Sequence, residues 1–299
     1  MSFDLYFCRE DNSIPSIEEL KEYFSTASPF FKVNDLNDGG VESFYENEAT
    51  GVHCTFSYSP LDAQELEGYG SSGLSFNLNY LRPSFFAYET MPLVEAFCKR
   101  FDLLVEDSQE EAVHQGNADR LIASWCAHNT SATRLMMDIA KKDDVELHYF
   151  PEWRATEWWR YMSVQEAIQT AVGEDVFVPA LWLLMDSDKR LFTFILWPKG
   201  IPQFFPPCDY VYVQREKKGF FRAKEETGAV RYQSVLKTLE PLLDDYVFGG
   251  LQLKYLRTDN AEKIWSVVQR LELEPFDPHL HTRISSDDFH DVPVAEEGD

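Results

Sequence analysis

Basic residues are scarce in this chain: 27 Lys and Arg stand against 51 Asp and Glu among 299 residues, a formal net charge of −24. Such a field repels phosphate backbones and anionic lipid, and no basic stripe or Arg-rich helix offsets it, so nucleic-acid binding is not expected. Paired cysteines are lacking as well. Cys8, Cys54, Cys98, Cys126 and Cys208 are odd in number, far apart and without a CxxC spacing. That argues against a disulfide framework and for free thiols in a reducing compartment. Long apolar runs are absent. The best, residues 176–185, falls well short of the ~20 residues that span a bilayer. The opening Met1-Ser2-Phe3-Asp4-Leu5 has neither the basic n-region nor the apolar h-region of a secretory signal, so a cytoplasmic protein is expected. GxxxxGK[ST], HExxH and GxSxG do not occur, which removes the P-loop, zinc-protease and α/β-hydrolase classes.

What is present is core-forming material. Hydrophobic residues make up 44% of the chain and aromatics 15%, with 23 Phe. This is enough to offset the entropy of ordering the backbone, so the charge does not imply disorder. The length suggests two domains. The fold class expected is α+β, with two domains that are each a mostly antiparallel sheet with packed helices.

The first domain is placed at 1–108. Residues 3–8 alternate loosely as a strand. Ser16 with Glu19 three residues on predicts a capping box and a helix carrying Leu20, Tyr23 and Phe24. Val41 to Asn47 and Val52 to Tyr58 read as a hairpin. Leu74, Phe76, Leu78 and Tyr80 alternate with Ser75, Asn77 and Asn79, the cleanest period of two in the chain. A helix is predicted over 88–100, with Pro92 confined to its first turn, and then a closing strand over 102–106. The polar run 106–119 predicts a linker.

The second domain is placed at 120–275. It begins with helical packing interrupted near Asn129, and a helix over 163–172 stopped by Gly173. Three apolar runs, 177–185, 190–197 and 210–214, are bounded by turn residues and predict a meander. Helices are predicted over 232–246 and from Thr258 or Asp259 onward, with a strand over 251–256 between them. An acidic, polar tail, 276–299, is expected to be ordered only by docking, if at all.

Asp277, His279, His281, Asp287, Asp288, His290 and Asp291 have the residue types of a borderline metal site. They lie on a polar terminal segment rather than on rigid elements, so no metal site is expected. Asp186 and Asp188 lack the later ligands and the Gly of a calcium loop and read as a β-turn. Cys208 and His53 read as packed side chains, since neither has a partner for nucleophilic chemistry. No catalytic residue and no cofactor is expected.

Two features suit a partner. The run 149–161 contains Trp153, Arg154, Trp158 and Trp159, the residue types that dominate binding hot spots; the alternative is a seam between domains. Residues 1–120 hold 7 basic and 22 acidic side chains, a net −15. Among these, Asp35, Asp38, Glu42, Glu46, Glu48, Asp62, Glu65 and Glu67 fall on loops and strand ends, where partner contacts concentrate; the alternative is a solvated face.

The opening Met-Ser-Phe-Asp-Leu-Tyr-Phe-Cys, followed by an acidic β-rich domain, resembles the start of bacterial proteins found among polymorphic-toxin immunity proteins. The similarity covers about the first hundred residues and carries over no individual residue. It implies a cytoplasmic inhibitor that binds and occludes a secreted effector. Together with the charge, the expectation is an inhibitor that docks a basic toxin domain, such as a nuclease. The other reading is an enzyme with a cleft between its domains.

Overall fold

Alternation in the N-terminal strands builds a sheet with two distinct faces. The computed structural model describes residues 1–9, 11, 13–60, 72–110, 112–143, 147–218 and 223–293. The chain divides into two compact units, Met1–Glu152 with Ser286–Asp299, and Trp153–Ser285. No described helix is long and apolar enough to cross a membrane. The fold is α+β, as expected.

In the first unit, strands β1 (Ser2–Cys8), β2 (Phe31–Asp35), β3 (Val41–Asn47), β4 (Val52–Tyr58), β5 (Leu74–Asn79), β6 (Leu104–Asp107) and β7 (Ala112–Gln115) form one sheet. Its order is β2-β3-β4-β5-β1-β6-β7, with every neighbouring pair antiparallel. Phe3, Leu5, Phe7, Val41, Tyr45, Val52, Cys54, Phe56, Leu74, Phe76 and Leu78 are buried on one face. Helices α1 (Ile17–Ala27), α2 (Phe85–Phe101) and α3 (Ala118–Asp143) supply the opposing layer. The predicted capping box opens α1: Ser16 Oγ accepts from Glu19 N, and the Glu19 carboxylate accepts from Ser16 N. Phe97 of α2 stacks on Phe24 of α1 and meets Phe7 edge-on at 5.0 Å.

Three expectations for this unit are corrected. Pro92 lies inside α2 rather than in its first turn. An interior proline costs about 3 kcal/mol, and the burial of Phe85, Phe86, Met91, Val94 and Phe97 along the helix outweighs it. Asn129 does not interrupt α3. Its buried amide accepts from Leu81 N at 2.8 Å and donates to the Arg82 carbonyl at 2.9 Å, tying down the loop before α2. The run 106–119 is no linker, because it carries the end of β6 and all of β7, and buried Asp107 accepts from Ser124 Oγ of α3. The first unit runs on to Glu152. The chain returns at 286–293, where strand Phe289–His290 pairs in parallel with β8 (His148–Tyr149), and Phe289, His290, Asp291 and Val292 are buried.

The second unit opens with α4 (Glu152–Met162) and α5 (Gln165–Val172), the latter capped by Gly173 as expected. Strands β9 (Trp182–Met185) and β10 (Leu191–Pro198) form a hairpin around Asp186 and Asp188, the predicted turn. Strand β11 (Phe204–Phe205) leaves this sheet, and β12 (Tyr210–Lys218) comes back parallel to β10. The three apolar runs are therefore not a meander. The segment 198–209 is a crossover, and turn residues at its start cannot distinguish a crossover from a hairpin. Strand β13 (Ala223–Arg231) pairs with β12, and the helix predicted over 232–246 ends early. It is α6 (Tyr232–Leu239), stopped at Pro241, followed by strand β14 (Leu243–Phe248). Strand β15 (Leu251–Leu256) joins β14 and β11, α7 (Ala261–Val268) follows, and β16 (Thr282–Arg283) completes the sheet beside β9.

Candidate protein-binding face

The helices of the first unit pack on the buried face of its sheet, so the alternate residues point the other way. The register lines them up in rows. One row runs Asn34–Glu42–Ser57–Ser75–Tyr6–Glu106 across six strands. A second runs Lys32–Phe44–Thr55–Asn77–Asp4. Glu42, Phe44, Thr55, Ser57, Ser75, Asn77, Asp4, Tyr6 and Glu106 all remain partly exposed. Ser57 and Ser75 hydroxyls stand 2.8 Å apart, and Asp4 accepts from Asn77 Nδ2 at 2.6 Å and from Ser2 Oγ at 2.9 Å. These lateral bonds hold the Asp4 carboxylate and the two hydroxyls in fixed places.

The electrostatics are one-sided. Lys32 donates to Glu46 at 2.6 Å, which holds the Glu46 carboxyl below its ordinary range and raises the Lys32 ammonium. Glu42 and Glu48 make no ion pair among the described residues. Glu106 has one buried carboxylate oxygen with no hydrogen-bond partner, and its charge adds to the burial that pushes the Cys8 thiol up. A half-buried carboxylate short of a donor is costly in the free protein, and an incoming cation or N–H relieves that cost.

Of the acidic residues singled out from sequence, Glu42 and Glu46 lie on this face. Asp35 and Asp38 stand at the β2–β3 turn and Glu48 at the β3–β4 turn. Asp35 pairs with Lys21 of α1, and Asp38 accepts from Gly40 N and Ser59 Oγ. Asp62, Glu65 and Glu67 lie outside the described residues. Sequence reasoning missed Asp4, Tyr6 and Glu106. The signal for the first two was the alternation Ser2, Asp4, Tyr6 along β1, while Glu106 was hidden in the supposed linker.

No family model, curated protein or solved structure matches the chain.

The aromatic run on α4 is divided. Arg154 pairs with Asp209, whose carboxylate also accepts from Thr193 N. Trp158 donates to the Leu181 carbonyl at 2.8 Å and packs against the core of the second unit, and Trp159 is partly buried. Trp153, 69% exposed, is the member that offers open surface.

Other chemistry finds little support. Burial pushes all five thiols up, Cys98 to about 12 and Cys126 to about 11, so none is poised as a nucleophile. One GxGxxG spacing does occur, 68–73, but it leads into β5 rather than into a helix N-terminus, so it lacks the setting that binds a dinucleotide. A cavity of about 540 Å³ in the second unit is lined by Arg231, Ser234, Thr238, Arg270, Glu272 and Glu274. The Arg231 guanidinium stacks on Tyr210, and Thr238 Oγ1 donates to the Ser234 carbonyl. The Asp and His residues of 277–291 are split between units: Asp277, His279 and His281 belong to the second, Asp287, Asp288, His290 and Asp291 to the first. His281 stacks on Phe276 at 4.8 Å, and Asp291 accepts from Ser84 N at 2.7 Å.

Proposed function

We propose that the protein is an immunity-type inhibitor that acts in the cytoplasm by docking a basic toxin domain onto the outer face of its seven-stranded sheet. The row Glu42–Ser57–Ser75–Tyr6–Glu106 carries this reading: acidic at both ends, hydroxyl-rich between, and closed by a carboxylate with one buried oxygen that lacks a donor. A lysine- or arginine-rich surface complements it, and the net −15 of residues 1–120 steers such a partner on approach. Phe44 and Tyr6 supply the flat contact area that charge alone does not. The resemblance of the opening residues to polymorphic-toxin immunity proteins points the same way.

The test starts by reading what the adjoining gene encodes, and then measures association kinetics with a toxin-like domain found there. The association rate is expected to fall steeply between about 0.05 and 0.3 M salt, with the dissociation rate changing less. Glu42→Lys with Glu106→Lys is expected to slow association at low salt, whereas reversals in the second unit, such as Glu166→Lys with Glu174→Lys, leave it unchanged. Single exposed charges are each worth under about 1 kcal/mol, so pairs are changed together. Association insensitive to salt and to the first-unit reversals defeats the proposal. Turnover of a small molecule by the purified protein alone favours the enzyme reading instead.

A further inference from the structure

We propose that Asp107, Glu110 and His114 form a binding site for a divalent cation of the zinc class at the β6–β7 hairpin. Asp107 lies opposite Ala112, and Val105 opposite His114. Asp107 and His114 therefore share one face of the hairpin, two residues apart along its axis, and the turn supplies Glu110. One ligand atom of each residue lies within 4.8 Å of the other two. Tetrahedral N and O ligands around zinc stand about 3.4 Å apart, so side-chain shifts of about 1 Å close the set onto an ion.

The imidazole is the deciding observation. His114 Nδ1 is 2.8 Å from the Gln115 carbonyl oxygen. A carbonyl only accepts, so Nδ1 carries the proton and Nε2 keeps its lone pair. That Nε2 is buried and has no hydrogen-bond partner. A backbone carbonyl holding one ring nitrogen while the other stands free is how a metal-ligating histidine is oriented. The carboxylates are oriented in the same manner. Asp107, fully buried, accepts from Ser124 Oγ at 2.8 Å and from Gln109 N at 2.9 Å. Glu110 accepts from Arg120 at 2.7 Å. One imidazole and two carboxylates leave room for water on the ion. The nitrogen donor favours zinc over calcium or magnesium, which prefer oxygen throughout. This inference is independent of the docking proposal, since the site faces α3 and not the outer rows.

The experiment is calorimetric titration of the chelator-stripped full chain with Zn²⁺, together with the absorption spectrum of the Co²⁺ form. One equivalent is expected to bind, and His114→Ala to weaken it at least about tenfold, while the double change His279→Ala with His281→Ala leaves it unaltered. Asp107→Asn is a poorer probe because its buried bonds support the fold; partly buried His114 keeps the test decisive, with circular dichroism confirming the folded variant. The proposal is overturned if the folded wild type shows no saturable binding, or if His114→Ala binds as the wild type does. A thiolate charge-transfer band in the Co²⁺ form also overturns it, because it places the metal on cysteine.

Discussion

The two units hold their backbones in different ways. In the first, a seven-stranded antiparallel ladder pairs the strands, and apolar side chains fill the inner face. In the second, long irregular segments are held by side chains that reach across to backbone carbonyls. Tyr161 donates to Pro179, Tyr232 to Phe205, Trp158 to Leu181, Trp197 to Ile201 and Gln165 to Val178. Arg215, almost fully buried, donates to the carbonyls of Val268 and Leu271 and pairs with Glu226. Buried carbonyls need a donor from somewhere, and where no neighbouring strand provides one, a large amphipathic side chain does. The aromatic richness of this chain therefore does two jobs. In the first unit the rings are filler, and in the second their polar tips also fasten loops.

The sharpest way to break this comparison is Arg215→Ala. It removes the side-chain donor from the Val268 and Leu271 carbonyls and the buried guanidinium from beside Glu226, and removing one partner of a buried pair costs about 3–5 kcal/mol. The expected result in chemical denaturation is a loss of that size confined to the transition of the second unit. An equal loss in both transitions would mean that the units do not melt separately.

Next is the clasp formed by the returning chain. Burial raises the Asp291 carboxyl from 3.8 to about 6 in the fold. Below about pH 4 the group is neutral whether folded or not. As pH rises towards 6 the unfolded chain loses the proton first, so the wild type loses up to about 3 kcal/mol across that window. Asp291→Asn abolishes this dependence. Its melting temperature relative to wild type is expected to rise between pH 4 and pH 7, and a flat difference would refute the assignment.

The smallest effect belongs to the first unit's local signals. Ser16→Ala removes the capping hydroxyl of α1 and is expected to cost about 1 kcal/mol, read as a shift in the first unit's transition alone.

This division of labour also explains what the sequence disclosed. Period-two strands such as β5 and the Ser16–Glu19 cap are written in residues adjacent in the chain, so α1, the β3–β4 hairpin and β5 were legible. The parallel return of β12 was not, because 198–209 has the same turn residues whether the chain folds back or crosses over. The helix expected over 232–246 kept a helical apolar spacing past Pro241, and only pairing with β15 makes 243–248 a strand. At the candidate face, Glu42 and Glu46 were found because they sit in an evident hairpin. Asp4 and Glu106 required the register of β1 between β5 and β6, a contact between residues about a hundred positions apart. The division at Glu152 rather than near 108 was hidden for the same reason: the polar run that looks like a linker is the rim of a sheet.

The parallel pairing of His148–Tyr149 with Phe289–His290 has a consequence for the order of folding. The whole second unit lies in the loop that this pair closes. Closing a flexible loop costs about 0.6 kcal/mol more for every doubling of its length. Once the second unit has folded, its ends are held within the span of one compact body and the effective loop is several doublings shorter, a saving of about 2 kcal/mol. The first unit is thus completed most readily after the second, although most of it is encoded earlier in the chain. A mutation that slows the second unit should delay burial of Phe289 and Val292 in the first without weakening either contact at equilibrium.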